Sequence, residues 1–235
     1  RKLRGLSPFL LSRSESYIGT LIDDLVTKGT GEPYRIMTSR SEYRLVLRQD
    51  NADLRLARRG WEIGLVSDEQ LARVEEKRRA VEAEIRRLTH TGVAPSPALS
   101  ALLAQKGTAD VGDGASLLSL LRRPQLHYED LSPFDPGRPD LPADVAEQVE
   151  ISVKYEGYIR RQQKQVEDFQ KMESRKLPPG LDYSAIQGLR LEAREKLSAV
   201  QPLDLGQASR ISGVSPADLT ALMIYLEHAK TDTNQ

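Results

Sequence analysis

The 235-residue chain contains no cysteine. That excludes disulfides, Fe–S clusters, thiolate nucleophiles and cysteine-type zinc sites. Histidine is scarce as well. His90, His127 and His228 lie far apart, none with a second ligand at metal-like spacing, so no metal centre is expected. Aromatic residues make up 5%, too few for a sandwich or barrel but suited to a helix-rich chain. No apolar run reaches membrane-span length and no signal peptide opens the chain, so a cytoplasmic setting without membrane contact is expected. Net charge is lacking too: 34 Lys and Arg balance 34 Asp and Glu. The opening RKLRGLSPFLL reads like a piece of a longer protein.

What is present is helical periodicity. Ser12 and Glu15 have capping-box spacing, and Ile18, Leu21, Ile22 and Leu25 form an apolar stripe ended by Gly29. A second capping box, Ser39 and Glu42, favours a helix over residues 39–48, although "YRLVLR" also alternates as a strand would. Asp50 or Asn51 starts a further helix, broken near Gly60 and Gly64. Ser67 and Gln70 open an amphipathic helix of about six turns carrying Leu71, Val74, Val81, Ile85 and Leu88. The 91–143 segment is rich in Pro and Gly, with apolar pieces at 98–104 and 115–122, and is a candidate for partial disorder. "GDGASLL" within it lacks the strand, the Lys and the glycine spacing of a phosphate loop. One long helix is expected from Asp144 to Ser174, with Gly157 admitting a neighbouring backbone. Three short helices close the chain, the last opened by Ser215, Pro216 and Asp218. The expectation is an all-α fold: a multi-helix body over 1–176 with long amphipathic helices, and a small three-helix bundle over 177–235.

Nothing in the sequence makes a self-sufficient active site. The strongest binding feature lies between residues 35 and 59. It holds seven arginines, no lysine, and only Glu42, Asp50 and Asp53 against them. On a helix, Arg40, Arg44 and Arg48 would form a row about 12 Å long, each able to take a phosphate bidentately. Tyr34 and Tyr43 could stack on bases or arginines. The competing reading is internal ion pairing, with Glu32 included among the partners. The tail loosely fits a helix-turn-helix, but its second helix carries Asp218, Glu227 and only Lys230 as a full positive charge, so duplex DNA reading is not expected.

Four segments in order, "YIGTLIDDLVTKGTGEPYRIMTSRSEYRLVLRQDNADLRL", "VEISVKYEGYIRRQ", "LDYSAIQGLRLEAREKL" and "GQASRISGVSPADLTALMIYL", closely resemble the C-terminal part of the MnmG/GidA family. The family comprises the FAD-dependent large subunit of the enzyme that modifies tRNA wobble uridine. The resemblance implies a longer parent, a homodimer using FAD, NADH and methylenetetrahydrofolate with the GTPase MnmE, which installs an aminomethyl or carboxymethylaminomethyl group at C5 of that uridine. It implies a tRNA- and partner-binding role for the present region, inactive alone and with no cofactor of its own. The alternative is a pure protein-interaction and dimer-support module. Candidate tRNA contacts are Arg35, Arg40, Arg44, Arg48 and Arg55, with Lys154, Arg160 and Arg161 on the long helix. Candidate GTPase contacts in the tail are Gln207, Arg210, Leu219 and Tyr225.

Overall fold

The computed structural model describes residues 1–27 and 33–232, the side chains of 228–232 excepted. Gly29 and Glu32 lie outside these residues, as do the side chains of His228 and Lys230. The fold is all-α. In chain order it comprises α1 (Tyr17–Thr27), α2 (Ala52–Glu62), α3 (Asp68–His90), β1 (Gly92–Val93), α4 (Pro97–Gln105), β2 (Ala115–Ser116), α5 (Leu117–Leu121), α6 (Ala143–Lys154), α7 (Glu156–Glu173), α8 (Leu191–Val200), α9 (Leu205–Arg210) and α10 (Pro216–Asp232). The two strands pair antiparallel, Gly92 opposite Ser116 and Val93 opposite Ala115. Two compact units form: residues 48–161, and residues 1–47 together with 162–235. This division differs from the sequence-drawn line at 176/177.

In the 48–161 unit, α3 starts as its sequence requires. Ser67 accepts from the Gln70 backbone, and the Gln70 side chain accepts from the Ser67 backbone. Leu88, Leu99, Leu103, Leu117, Leu120, Leu121, Leu126 and Val149 are almost completely buried. Most of this core therefore comes from the Pro- and Gly-rich segment. Its prolines set loop corners and helix starts, and the leucines between them supply the apolar surface. "GDGASLL" is the turn into β2 and α5. Gly114 has φ +86°, and a Cβ there would sit 2.9 Å from the Val93 carbonyl.

A buried polar cluster is set into that core. Tyr128 donates to Glu84 at 2.7 Å, and Arg87 bonds both Glu84 and Asp135. Burial first, then the bond to Glu84, pushes the Tyr128 hydroxyl up to about 12.

The unit of residues 1–47 and 162–235 has its own core, built from Leu177, Leu181, Tyr183, Ile186, Leu197, Leu205 and Leu222 among others. Asp218 fastens the start of α10. It accepts from the Ser215 backbone at 2.8 Å and takes the Arg190 guanidinium at 2.7 Å while fully buried.

Three expectations are corrected. The helix over 39–48 does not form: residues 38–40 make one 3-10 turn and the rest is turn and bend. Here tertiary contacts override the local pattern. Tyr43 and Leu47 are buried, Glu42 bonds Arg13 at 2.6 Å, and the Leu45 and Val46 amides donate to the Gln162 side chain at 2.9 Å. The long helix is two helices, α6 and α7, meeting at Tyr155. Gly157 meets no backbone, since nothing described lies within 4 Å of the position its Cβ would take.

The third correction concerns α1. It starts at Tyr17, where Ser16 accepts from the Gly19 amide, and Ser12 with Glu15 forms the turn before it. Its buried residues are Gly19, Thr20, Asp24 and Thr27, whereas Ile18 and Ile22 are more than half exposed and Leu25 and Val26 are exposed. The helix packs with its polar face inward, because that face carries partners for the buried Arg13.

Candidate nucleic-acid interface

Arg13 organises the loop that bears the first arginines. Its guanidinium bonds Asp24 at 2.6 Å, Asp23 at 3.1 Å and Glu42 at 2.6 Å. Burial works against its charge, but the bonds to Glu42 and Asp24 outweigh burial and raise its pKa above the usual arginine range. Glu42, the nearest carboxylate to Arg40 and Arg44 in sequence, is thereby engaged. Arg35, Arg40 and Arg44 are exposed, and among the described residues none of the three has a carboxylate partner. Arg40 stacks over the Tyr34 ring at 5.1 Å, and Tyr34 donates to Asp24 at 2.7 Å. Burial and that bond to Asp24 raise the Tyr34 hydroxyl pKa. The loop thus holds three guanidinium groups outward on a segment pinned by Arg13, Tyr43 and Gln162.

The remaining candidates sit differently. Arg48 lies in the other unit and is spent internally: it bonds Asp50 at 3.0 Å and Gln148 at 3.4 Å. Burial acts to raise the Asp50 carboxyl, and the bonds from Arg48 and Gln148 outweigh it and lower its pKa. Arg55 donates to Asn51 at 2.8 Å and to the Arg48 carbonyl at 3.2 Å. Lys154 pairs with Glu150 at 2.9 Å, which also accepts from His127. Arg160 pairs with Glu156 at 2.6 Å but stays 76% exposed. Arg161 is exposed and lies over the Tyr158 ring at 4.8 Å. The single arginine row of the sequence reading is therefore not built, and the candidates are divided between the two units.

In the tail, Gln207 caps locally, accepting from the Leu203 amide at 2.8 Å. Arg210 is nearly buried, bonded to Asp23 at 2.7 Å and stacked over Phe169 at 4.8 Å. Leu219 packs against the core and Tyr225 is exposed. Sequence reasoning missed Arg13 and Gln162, whose partners lie far away in sequence. It also passed over Tyr155 and Tyr158, which lie off the valine stripe of their helices.

An apolar cleft of about 910 Å³ lies in the 48–161 unit, lined by Leu56, Gly60, Leu65, Val66 and Val74 among others. Lys77 in its wall is held by Asp53 at 3.0 Å and Asp144 at 2.9 Å. Its lining includes no Ser, Thr, Cys, His or Tyr, so it holds no hydroxyl or thiol nucleophile. Among the described residues no three metal-ligating groups converge, and no helix is long and apolar enough to cross a membrane.

Two family models match the chain. Residues 68–163 match the tRNA modifying enzyme MnmG/GidA C-terminal helical domain, and residues 165–235 match the C-terminal helical bundle of the same enzyme. The chain belongs to the MnmG/GidA family. It is 54% identical to the tRNA uridine 5-carboxymethylaminomethyl modification enzyme MnmG of Caldicellulosiruptor saccharolyticus, over 97% of this chain and 36% of that protein. It is 52% identical to the MnmG of Bacillus subtilis, over 98% of this chain and 37% of that one. Among solved structures it resembles Aquifex aeolicus GidA in its form II crystal, with 43% identity and a TM-score of 0.81, covering 96% of this chain and 35% of that chain. The chain thus spans little more than a third of the MnmG relatives it matches, and corresponds to their C-terminal helical region. A dinucleotide cofactor such as FAD needs a strand, a glycine-rich turn and a helix in succession. The described strands of this MnmG/GidA region are two residues each and antiparallel, and the Gly114 turn is filled by the Val93 carbonyl. These residues do not fit a flavin cradle.

Proposed function

We propose that this chain is the tRNA- and partner-binding helical region of the flavoenzyme that installs a (carboxymethyl)aminomethyl group at C5 of the tRNA wobble uridine. FAD and NADH would be held by other parts of that enzyme, a cytoplasmic homodimer acting with the GTPase MnmE. The observation that carries the tRNA role is the set Arg35, Arg40 and Arg44. They are exposed on a loop whose acidic residue among those described, Glu42, is drawn away by a buried arginine. Such uncompensated guanidinium groups suit phosphate oxygens.

The test is tRNA affinity of the intact protein over a salt series. Arg40→Ala and Arg44→Ala are each expected to lower the slope of log affinity against log salt by about 0.7 to 0.9 per lost phosphate contact. An unchanged slope in both variants overturns the assignment.

A second reading, a protein-docking module, is favoured by the exposed apolar face of α1, where Ile18 is 59%, Ile22 53% and Val26 60% exposed. It predicts that Ile22→Glu weakens subunit or GTPase association, measured by light scattering and pull-down, while the tRNA salt slope stays as in the wild type.

A further inference from the structure

The junction of α6 and α7 presents aromatic surface that the fold does not use. Tyr155 is 47% exposed and Tyr158 56% exposed. Among the described residues neither hydroxyl has a hydrogen-bond partner, and neither ring packs into the apolar core of its unit. The backbone holds them firmly all the same. The Tyr155 amide donates to Ile151 at 3.0 Å, and the Tyr155 carbonyl accepts from Tyr158 at 3.0 Å and Ile159 at 2.9 Å. The two rings therefore sit three residues apart on a continuous hydrogen-bonded turn. That spacing places them on one side of the helix axis, with Arg161 a further three residues on. Arg161 already lies over the Tyr158 ring at 4.8 Å. Between the tyrosines, Gly157 faces open space.

The charge around the rings is positive. Glu156 is shared by Arg122 and Arg160, each at 2.6 Å. Arg161, over the Tyr158 ring, has no carboxylate partner among the described residues and adds a further positive charge. Two exposed rings, a stacked arginine, an open glycine notch and surplus positive charge are what an unstacked base with its phosphate requires. A base inside a duplex has both faces covered by its neighbours, so rings of this kind have no face to stack on there.

We propose that Tyr155, Tyr158 and Arg161 form a stacking platform for an unpaired nucleotide, so that this part of the chain takes a single-stranded loop or end of the RNA. The proposal rests on the tRNA-binding reading and specifies which kind of RNA element meets this surface.

The experiment uses the intact protein with two probes: an RNA hairpin carrying 2-aminopurine in its unpaired loop, and a blunt RNA duplex of equal length. Tyr158→Leu keeps the apolar bulk but removes the ring. It is expected to weaken hairpin binding about tenfold and to abolish the quenching of 2-aminopurine. Tyr158→Phe is expected to keep both, and neither variant changes duplex binding. Tyr158 is exposed, so an unchanged melting temperature shows that folding is not at issue. If Tyr158→Leu binds the hairpin as the wild type does while Arg40→Ala weakens it, the platform falls and the tRNA reading stands. Equal losses on hairpin and duplex, or a loss of protein association alone, also overturn it. If the wild type binds neither RNA, both readings fall.

Discussion

The Arg13 guanidinium bonds the Asp24 carboxylate at 2.6 Å, with side chains 2% and 5% exposed. Arg13→Met strands the buried Asp24 carboxylate and is expected to cost about 3–5 kcal/mol. Asp24→Leu leaves Arg13 with Asp23 and Glu42 and is expected to cost less, with the double variant below the sum of the two. Urea unfolding of the three variants measures this. Additive losses would mean that the pair is not coupled.

Gly19 lies on the buried face of α1, where an added Cβ would collide with the Ser12 and Leu11 carbonyls. Helix propensity alone favours Ala over Gly by about 1 kcal/mol. Gly19→Ala is nevertheless expected to destabilise, because the atoms in the way are backbone. A higher melting temperature in Gly19→Ala would refute this packing.

The apolar stripe of α1 predicts the opposite insensitivity. Ile22→Lys in this chain is expected to change stability by no more than about 0.5 kcal/mol. Leu88→Ala, at 1% exposure, is expected to cost about 2–5 kcal/mol. Parallel thermal melts of the two variants decide the matter.

Asp218 gives a pH dependence. Bonds from Arg190 and then Ser215 outweigh its burial and hold its carboxyl well below the usual 3.8. A carboxyl depressed in the folded state stabilises in full above its unfolded value. That stabilisation is lost as the pH falls from 3.8 towards the lower folded value. Asp218→Asn is therefore expected to be less stable than the wild type at pH 7, with the gap narrowing at pH 3. An equal gap at both pH values would contradict the assignment.

Arg48 separates structural from functional arginine. Its guanidinium is bonded to Asp50 and Gln148. Arg48→Ala is expected to lower the melting temperature while leaving the salt slope of tRNA binding unchanged. A slope reduced as much as in Arg44→Ala would show that Arg48 also meets phosphate.

By itself the sequence determined the helical class, the start of α3, the placement of the three tail helices and the family. These depend on neighbours three or four residues apart, such as Ser67 with Gln70 or Ser215 with Asp218, so a local reading finds them. It also supplied the leucines of the 91–143 segment, whose proline content masked how much core they build. Only the tertiary structure decided which face of α1 turns inward, since the deciding charge, Arg13, lies outside that helix. Only it decided that residues 39–48 are a loop, because Gln162 offers the Leu45 and Val46 amides an acceptor from 116 or more positions away. The arginine excess was visible in composition. Which arginines point outward was not, because that depends on which carboxylates distant residues have already claimed.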